Sequence, residues 1–354
     1  MASSEKIGQG NPEMLREMYM NRHWFLRSII RSVRRKTEGS SPVPTQIVPT
    51  QAPTRRSSHF SYLNRILFKD RAALGGFIVI LAFLAWSIFE GTLQIIDSIT
   101  RRTDYAISVL GGNPLALDFA HSLLPPSINS FGLLFGTDYY GHSILFSILY
   151  AAPRDAGAGV LVVAMGMTIG MLLGTCAAYF GGWTETVFMR LTDAFLAVPA
   201  LVLAIAVSIM VGTGFTSVLI ALIIVWWPTY ARFFRGQALS LKNRGFVSAA
   251  RLCGTGSLSI MFRHIVPNSL DPIIAYAALD FGNVILSYSA LAFLGIGVQP
   301  PIPEWGEMTS EGLGYIPATW WWSFFPSLVI LAIVISFTLV GDRLQDVISG
   351  RSIS

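Results

Sequence analysis

Six basic side chains, Arg232, Arg235, Lys242, Arg244, Arg251 and Arg263, fall within the stretch from Tyr230 to Pro267, which has no acidic residue. The chemistry they offer is recognition rather than bond making. The stretch separates two long apolar segments, and positive charge beside membrane spans resists translocation, which predicts a cytoplasmic loop. Phe246 to Leu252 reads as a short helix, Gly254 to Gly256 as a break, and Ser257 to His264 as a second short helix ended by Pro267. Ser248, Ala249 and Ala250 make the first helix small-sided, able to press against another surface, and Gly254 supplies the turn without a Cβ penalty. Arg244 and Arg251 carry two readings: partners for acidic groups of a docked protein, or plain positive-inside charges.

A second candidate is Asp280, close to Asn283 in an otherwise apolar segment. A charge in lipid there costs ~2.5–3.5 kcal/mol, so Asp280 is expected to face the bundle interior or a watery cavity. It either contacts a cationic or hydroxyl-rich substrate or bonds a neighbouring helix. Other chemistries lack their residues. No G-x-x-x-x-G-K-[ST] stretch occurs, so the chain does not cradle nucleotide phosphates itself. His121, His142 and His264 are scattered without metal-ligand spacing, and no Ser/His/Asp set or paired carboxylates stand out. Cys176 and Cys253 lie on segments with no expected meeting point, so neither a disulfide nor a metal site is expected.

The elements that must position these residues are membrane helices. Of 354 residues, 53% are hydrophobic and only 13% charged, about half the charged share of a soluble domain. Apolar windows of about 20 residues place spans at 72–96, 156–179, 187–211, 215–234, 272–296 and 321–340. Arg65, Lys69 and Arg71 put the N-terminus inside, and six spans return the C-terminus to the same side. The outer loop at 297–320 then holds Glu304, Glu307 and Glu311 with no Lys or Arg. Residues 1–70 read as a cytoplasmic extension without a cleavable signal, with an amphipathic helix expected at 12–36 and a flexible linker at 37–58. Residues 71–354 form the transmembrane domain, with an extracellular loop at 97–155 and a docking loop at 235–271. Gly166, Gly170 and Gly174 strip one face of the second span for close helix packing. Trp320, Trp321, Trp322 and Tyr315 at the outer mouth are expected as interfacial anchors. The net charge of +5 suits anionic headgroups, not nucleic acid.

Several motifs together resemble the dipeptide/oligopeptide-type permeases of binding-protein-dependent ABC importers. Ser248-Ala249-Ala250 with Gly254 and Ile265-Val266-Pro267 resembles their EAA loop, with Ser for the usual Glu and Val for the Leu before the proline. Phe135-Gly136-Thr137-Asp138 with Gly141 resembles GTDxxGRD, Tyr179 to Trp183 matches the short inner connection, and Gly297-Val298-Gln299-Pro300-Pro301 with Pro303, Trp305 and Gly306 matches GxQPPxPxWG. Gly341-Asp342 with Leu344 and Asp346 resembles the C-terminal ending, and the whole likeness spans residues 124–347 and is greatest to the C-type subunit. Two departures stand out. The family's Arg-Asp is His142-Ser143, which removes any ion pair made there, and Pro153 is inserted as a helix-starting proline before Arg154.

The resemblance implies an all-α polytopic membrane protein of six transmembrane helices, the type I ABC importer permease fold with a cytoplasmic coupling helix. It implies a non-catalytic plasma-membrane subunit, forming half of the translocation path for di- or oligopeptides. The implied partners are a homologous second permease, two cytoplasmic ATPase subunits that bind ATP and Mg, and an extracellular solute-binding protein; this chain itself binds no cofactor. Arg244, Phe246, Ser248, Ala249, Ala250, Arg251, Gly254 and Pro267 are the coupling candidates, Asp280 and Asn283 the path candidates. Asp138, Gln299, Pro300, Pro301 and Trp305 are candidates to meet the binding protein. Oligosaccharide or nickel import is the alternative within the class, and a secondary transporter working through Asp280 is the alternative outside it.

Overall fold

The computed structural model describes residues 71–100, 107 and 109–348. The chain divides into units 1–57 and 58–354, and every described residue belongs to the second; the helix expected at 12–36 and the linker at 37–58 lie outside the described residues. The α-helices of the described residues run in the order α1 (Arg71–Thr100), α2 (Ile144–Phe180), α3 (Gly182–Leu196), α4 (Ala200–Val211), α5 (Phe215–Lys242), α6 (Gly245–Leu252), α7 (Ser257–Phe293), α8 (Trp305–Leu313) and α9 (Trp320–Ile348). Helices α1, α2, α5, α7 and α9 are each long and apolar enough to cross a membrane, and α3 with α4 makes a sixth span if the bent pair counts as one.

The bundle has a basic end and an acidic end. At the first, Lys242 Nζ at the end of α5 donates to Ala178 O on α2 at 2.9 Å. At the second, Gly214 N before α5 donates to Ile296 O after α7 at 3.0 Å. Between them α2 and α5 touch backbone to backbone. A Cβ on Gly170 would stand 2.4 Å from Tyr230 Cβ, and one on Gly174 would stand 2.2 Å from Ala231 O, whereas one on Gly166 would make ordinary contact at 3.4 Å. One apolar core joins α1, α2, α7, α8 and α9 around Trp305 and Trp322; a second joins α2, α4, α5 and α7 around Leu222 and Tyr288. A third, at the basic end, gathers Tyr179, Leu241, Val247 and Ile265 beneath α6.

Four differences from the sequence expectation change the architecture, three of them around proline. The span expected from Ala156 starts at Ile144, inside the loop expected at 97–155, and Pro153 lies within α2 rather than at its start. Proline leaves the carbonyl four residues earlier without its helical donor. Here that carbonyl, Leu149 O, accepts from Trp86 Nε1 of α1 at 2.9 Å. Pro267 likewise does not end a helix: α7 runs through it, widened to a π turn over Met261–Ile265. Two carbonyls of that turn are taken by side chains, Asn268 Nδ2 donating to His264 O at 2.6 Å and Ser269 Oγ to Ile265 O at 2.8 Å. The span expected at 187–211 is bent by 91° between α3 and α4, where Pro199 stands just ahead of α4. Helix α5 also continues past Phe234 to Lys242, which shortens the loop expected at 235–271.

Candidate functional site

The basic end presents an elbow. Arg244 O opens α6 by accepting from Val247 N at 3.0 Å. The helix closes with Thr255 N donating to Ala250 O at 3.1 Å and Gly254 N to Arg251 O at 3.0 Å, with Gly254 at φ +78°. This is a glycine-centred Schellman end, which a left-handed residue makes possible. Val247 is the one buried residue of α6. The rest faces outward: Phe246, Ser248, Ala249, Arg251 and Gly254 are exposed, Ala250 is half-buried, and Leu252 is 90% exposed. Arg251 lies over the Tyr179 ring at 5.5 Å, while Arg244 is exposed. Two other cations of the basic stretch, both on α5, are already engaged with α3, Arg232 with Asp193 at 2.7 Å and Arg235 Nε with Glu185 at 2.8 Å. The elbow is thus an eight-residue helix seated through Val247, with an apolar and cationic outer face.

This region falls inside a family match. Residues 166–353 match the family described as binding-protein-dependent transport system inner membrane component. The chain is 35% identical over 314 residues to the dipeptide transport system permease protein DppC of Alkalihalophilus pseudofirmus, covering 89% of this chain and 95% of that one. It is 34% identical over 285 residues to the di/tripeptide transport system permease protein DppC of Pseudomonas aeruginosa, covering 80% and 89%. It is 38% identical over 216 residues to the glutathione transport system permease protein GsiD of Pectobacterium atrosepticum, covering 61% and 72%. The chain belongs to the binding-protein-dependent transport system inner membrane components. It is therefore a multi-span permease subunit of an ABC importer, with the all-α type I permease fold.

Within this permease Asp280 is buried on α7, and its Oδ2 accepts from Trp226 Nε1 at 2.8 Å and Tyr230 OH at 2.9 Å, both on α5. Asn283, one turn on, is exposed. The carboxylate thus ties α7 to α5 at mid-bundle.

At the acidic end the Phe135–Ser143 turn clasps the preceding loop. Asp138 Oδ1 accepts from Tyr140 N and His142 N, each at 2.8 Å, and Oδ2 lies 2.8 Å from His142 Nδ1. The pairing expected to be missing at position 142 is therefore present in another form. A Cβ on Gly141, at φ +84°, would stand 1.9 Å from Asp118 O, so only glycine fits beneath that loop. Ser143 caps α2 by accepting from Phe146 N at 3.3 Å. Gln299, Pro300 and Pro301 are exposed, but Trp305 is 1% exposed and donates from Nε1 to Ile148 O at 3.0 Å, so it anchors the loop rather than meeting a docked protein. Trp321 and Trp322 are also core residues rather than interfacial anchors, whereas Trp320 and Tyr315 are exposed.

The sequence reading missed a carboxylate face on α8. Glu304 caps the helix, its Oε2 accepting from Glu307 N at 2.8 Å, and is wholly buried against Asp155 of α2. Burial pushes Glu304 up to about 7; burial, with the Glu311 carboxyl beside it, pushes Glu307 up to about 9. The spacing of 304, 307 and 311 on one helical face was the signal available in the sequence, where these residues served only to assign a side.

Proposed function

We propose that this permease subunit passes short peptides inward across the plasma membrane, with its basic end and both termini cytoplasmic. The observation that carries the mechanism is the α6 elbow. Its cationic loop suits the inner side of a membrane, and its exposed small and apolar residues suit a groove on a separate ATPase subunit. ATP and Mg belong to two such subunits. Their closure moves α6; because α6 is seated through Val247 on α2, α5 and α7, the motion passes to rigid spans that reach the acidic end. A second, homologous permease completes the path, and a solute-binding protein docks outside on the face bearing Gln299, Pro300 and Pro301. Peptide is favoured over oligosaccharide or nickel because the relatives above are named for dipeptides, di/tripeptides and glutathione. Asp280, bonded to α5, gives no separate support to a secondary transporter.

The test is uptake of radiolabelled dipeptide by the reconstituted assembly with its ATPase subunits and binding protein. ATP-dependent uptake of dipeptide and not of an oligosaccharide is expected. Uptake without ATP, or driven by a proton gradient alone, would overturn the reading.

A further inference from the structure

We propose that the cavity at the acidic end is a binding site for an organic cation, an alkylammonium or guanidinium group received by Glu307, Glu311 and His142. The cavity holds about 240 Å³ between the 138–142 turn and α8, with Pro300 and Pro301 at its exposed rim. Two side chains that line it are more than nine-tenths buried, and each has one atom without a hydrogen-bond donor among the described residues: Glu307, 8% exposed, at Oε1, and His142, 7% exposed, at Nε2; the carboxyl of Glu307 also shares a proton with Glu311. A buried acceptor without a donor is costly to leave unmade. In the neutral tautomer that donates its Nδ1 proton to Asp138, His142 offers a lone pair at Nε2. His142, Glu307 and Glu311 then supply three acceptors for the three donors of an ammonium group.

The lining explains what kind of cation fits. It contains carboxylates from two directions, Asp138 from the turn and Glu307 and Glu311 from α8, yet no Lys or Arg. The nearby Arg154 is not among the lining residues, its Nη1 donating to Pro303 O at 3.1 Å. Glu307, held up to about 9 by burial and by Glu311, Glu304 and Asp138, keeps a proton that it shares with Glu311, and an arriving cation takes that proton's place and leaves both carboxylates as acceptors. Tyr140 and Trp322 add aromatic walls suited to a cation and its apolar stem. Among the described residues no group of His, Cys, Asp and Glu is arranged to hold a metal ion, so the geometry favours an organic head group. The volume suits one such group with a short stem, below the ~300–1,000 Å³ of whole-ligand pockets. On the peptide-import reading, the amino end of a peptide supplies this group; a lysine or arginine of the docked binding protein carries the same chemistry.

The experiment is calorimetric titration of the full-length protein with its partner permease in lipid nanodiscs, using n-butylammonium, methylguanidinium and neutral butanol. Both cations are expected to bind and butanol is not, and Glu307→Gln/Glu311→Gln is expected to weaken the cations by about tenfold or more. At about pH 7.5, paired titrations in buffers of different ionisation heat should show release of about one proton per cation bound, lost in the variant. Equal binding of butanol, unchanged binding in a folded variant, or no cation binding overturns the proposal. Displacement of butylammonium by Ala-Ala but not by acetyl-Ala-Ala supports the site with a peptide source. Displacement by the binding protein alone supports it with a protein source. Failure of dipeptide uptake in the assembly would overturn the transport reading and leave these titrations standing.

Discussion

Glu307 and Asp280 are both buried acids, and their surroundings ask different things of them. Glu307 has its carboxyl raised to about 9 and Glu304 to about 7, so between ~4.5 and those values the folded protein binds more protons than the unfolded chain. Stability must then fall as pH rises, with Glu304 contributing up to about 7 and Glu307 up to about 9. Melting in nanodiscs should show a midpoint that drops over this window. In Glu307→Gln the upper part of the drop should vanish, so that the variant melts with wild type near pH 5 and a few degrees above it near pH 9. A wild-type midpoint flat across the window would contradict the raised values. For Asp280 the two donors on one oxygen set the expectation. Asp280→Asn keeps an acceptor for Trp226 and Tyr230 and should retain most uptake. Asp280→Leu strands both donors, at about 1–3 kcal/mol each, and should lower both melting midpoint and uptake. Loss of uptake in a stable Asp280→Asn protein would instead assign the charge to the path.

Among the elements, the α2–α5 seam makes the sharpest demand on sequence. Gly170→Ala and Gly174→Ala each drive a methyl into the backbone of α5, and overpacking of this kind costs about 1–3 kcal/mol. Gly166→Ala meets only ordinary contact and should melt as wild type does. The same three glycines illustrate what the sequence makes legible. Their four-residue spacing announces a close helix contact, and apolar length announces most of the spans, because both properties belong to one segment alone. Pro153 and Pro267 read as helix ends because a proline's lost hydrogen bond is local, whereas its compensation is tertiary. Trp86 of α1 and the side chains of Asn268 and Ser269 supply what no window around the proline reveals. The break between α3 and α4 was hidden for a related reason: its hydropathy is continuous, and only the geometry at Pro199 divides it. Of the sites, the elbow was visible as charge without counter-charge. The α8 cavity was not, since it joins residues from 114 to 322 whose shared space exists only after folding.

At the scale of the whole molecule, the proposed coupling requires force to cross from one end of the bundle to the other through α6, which is seated on the spans through Val247. Its backbone turn and its outer face can be tested separately. Gly254 sits at φ +78° with nothing within 4 Å of a built Cβ, so Gly254→Ala adds backbone strain of about 1–2 kcal/mol without a steric clash. Leu252 is 90% exposed, so Leu252→Asp removes an apolar contact surface while leaving the isolated permease unstrained. Gly254→Asp and Ala250→Glu add charge to the turn and to the half-buried face. In the reconstituted assembly, Leu252→Asp and Ala250→Glu should reduce co-purification of the ATPase subunits or their stimulated hydrolysis by about tenfold or more, as loss of an interface anchor does. Gly254→Ala should give a smaller loss that a lower temperature partly restores, because strain shifts a folding equilibrium of the elbow and does not delete its contact surface. Gly254→Asp should combine both effects and exceed Gly254→Ala. Unchanged hydrolysis and transport in Leu252→Asp and Ala250→Glu, with the ATPase still bound, would move the coupling surface away from α6 to another part of the basic end.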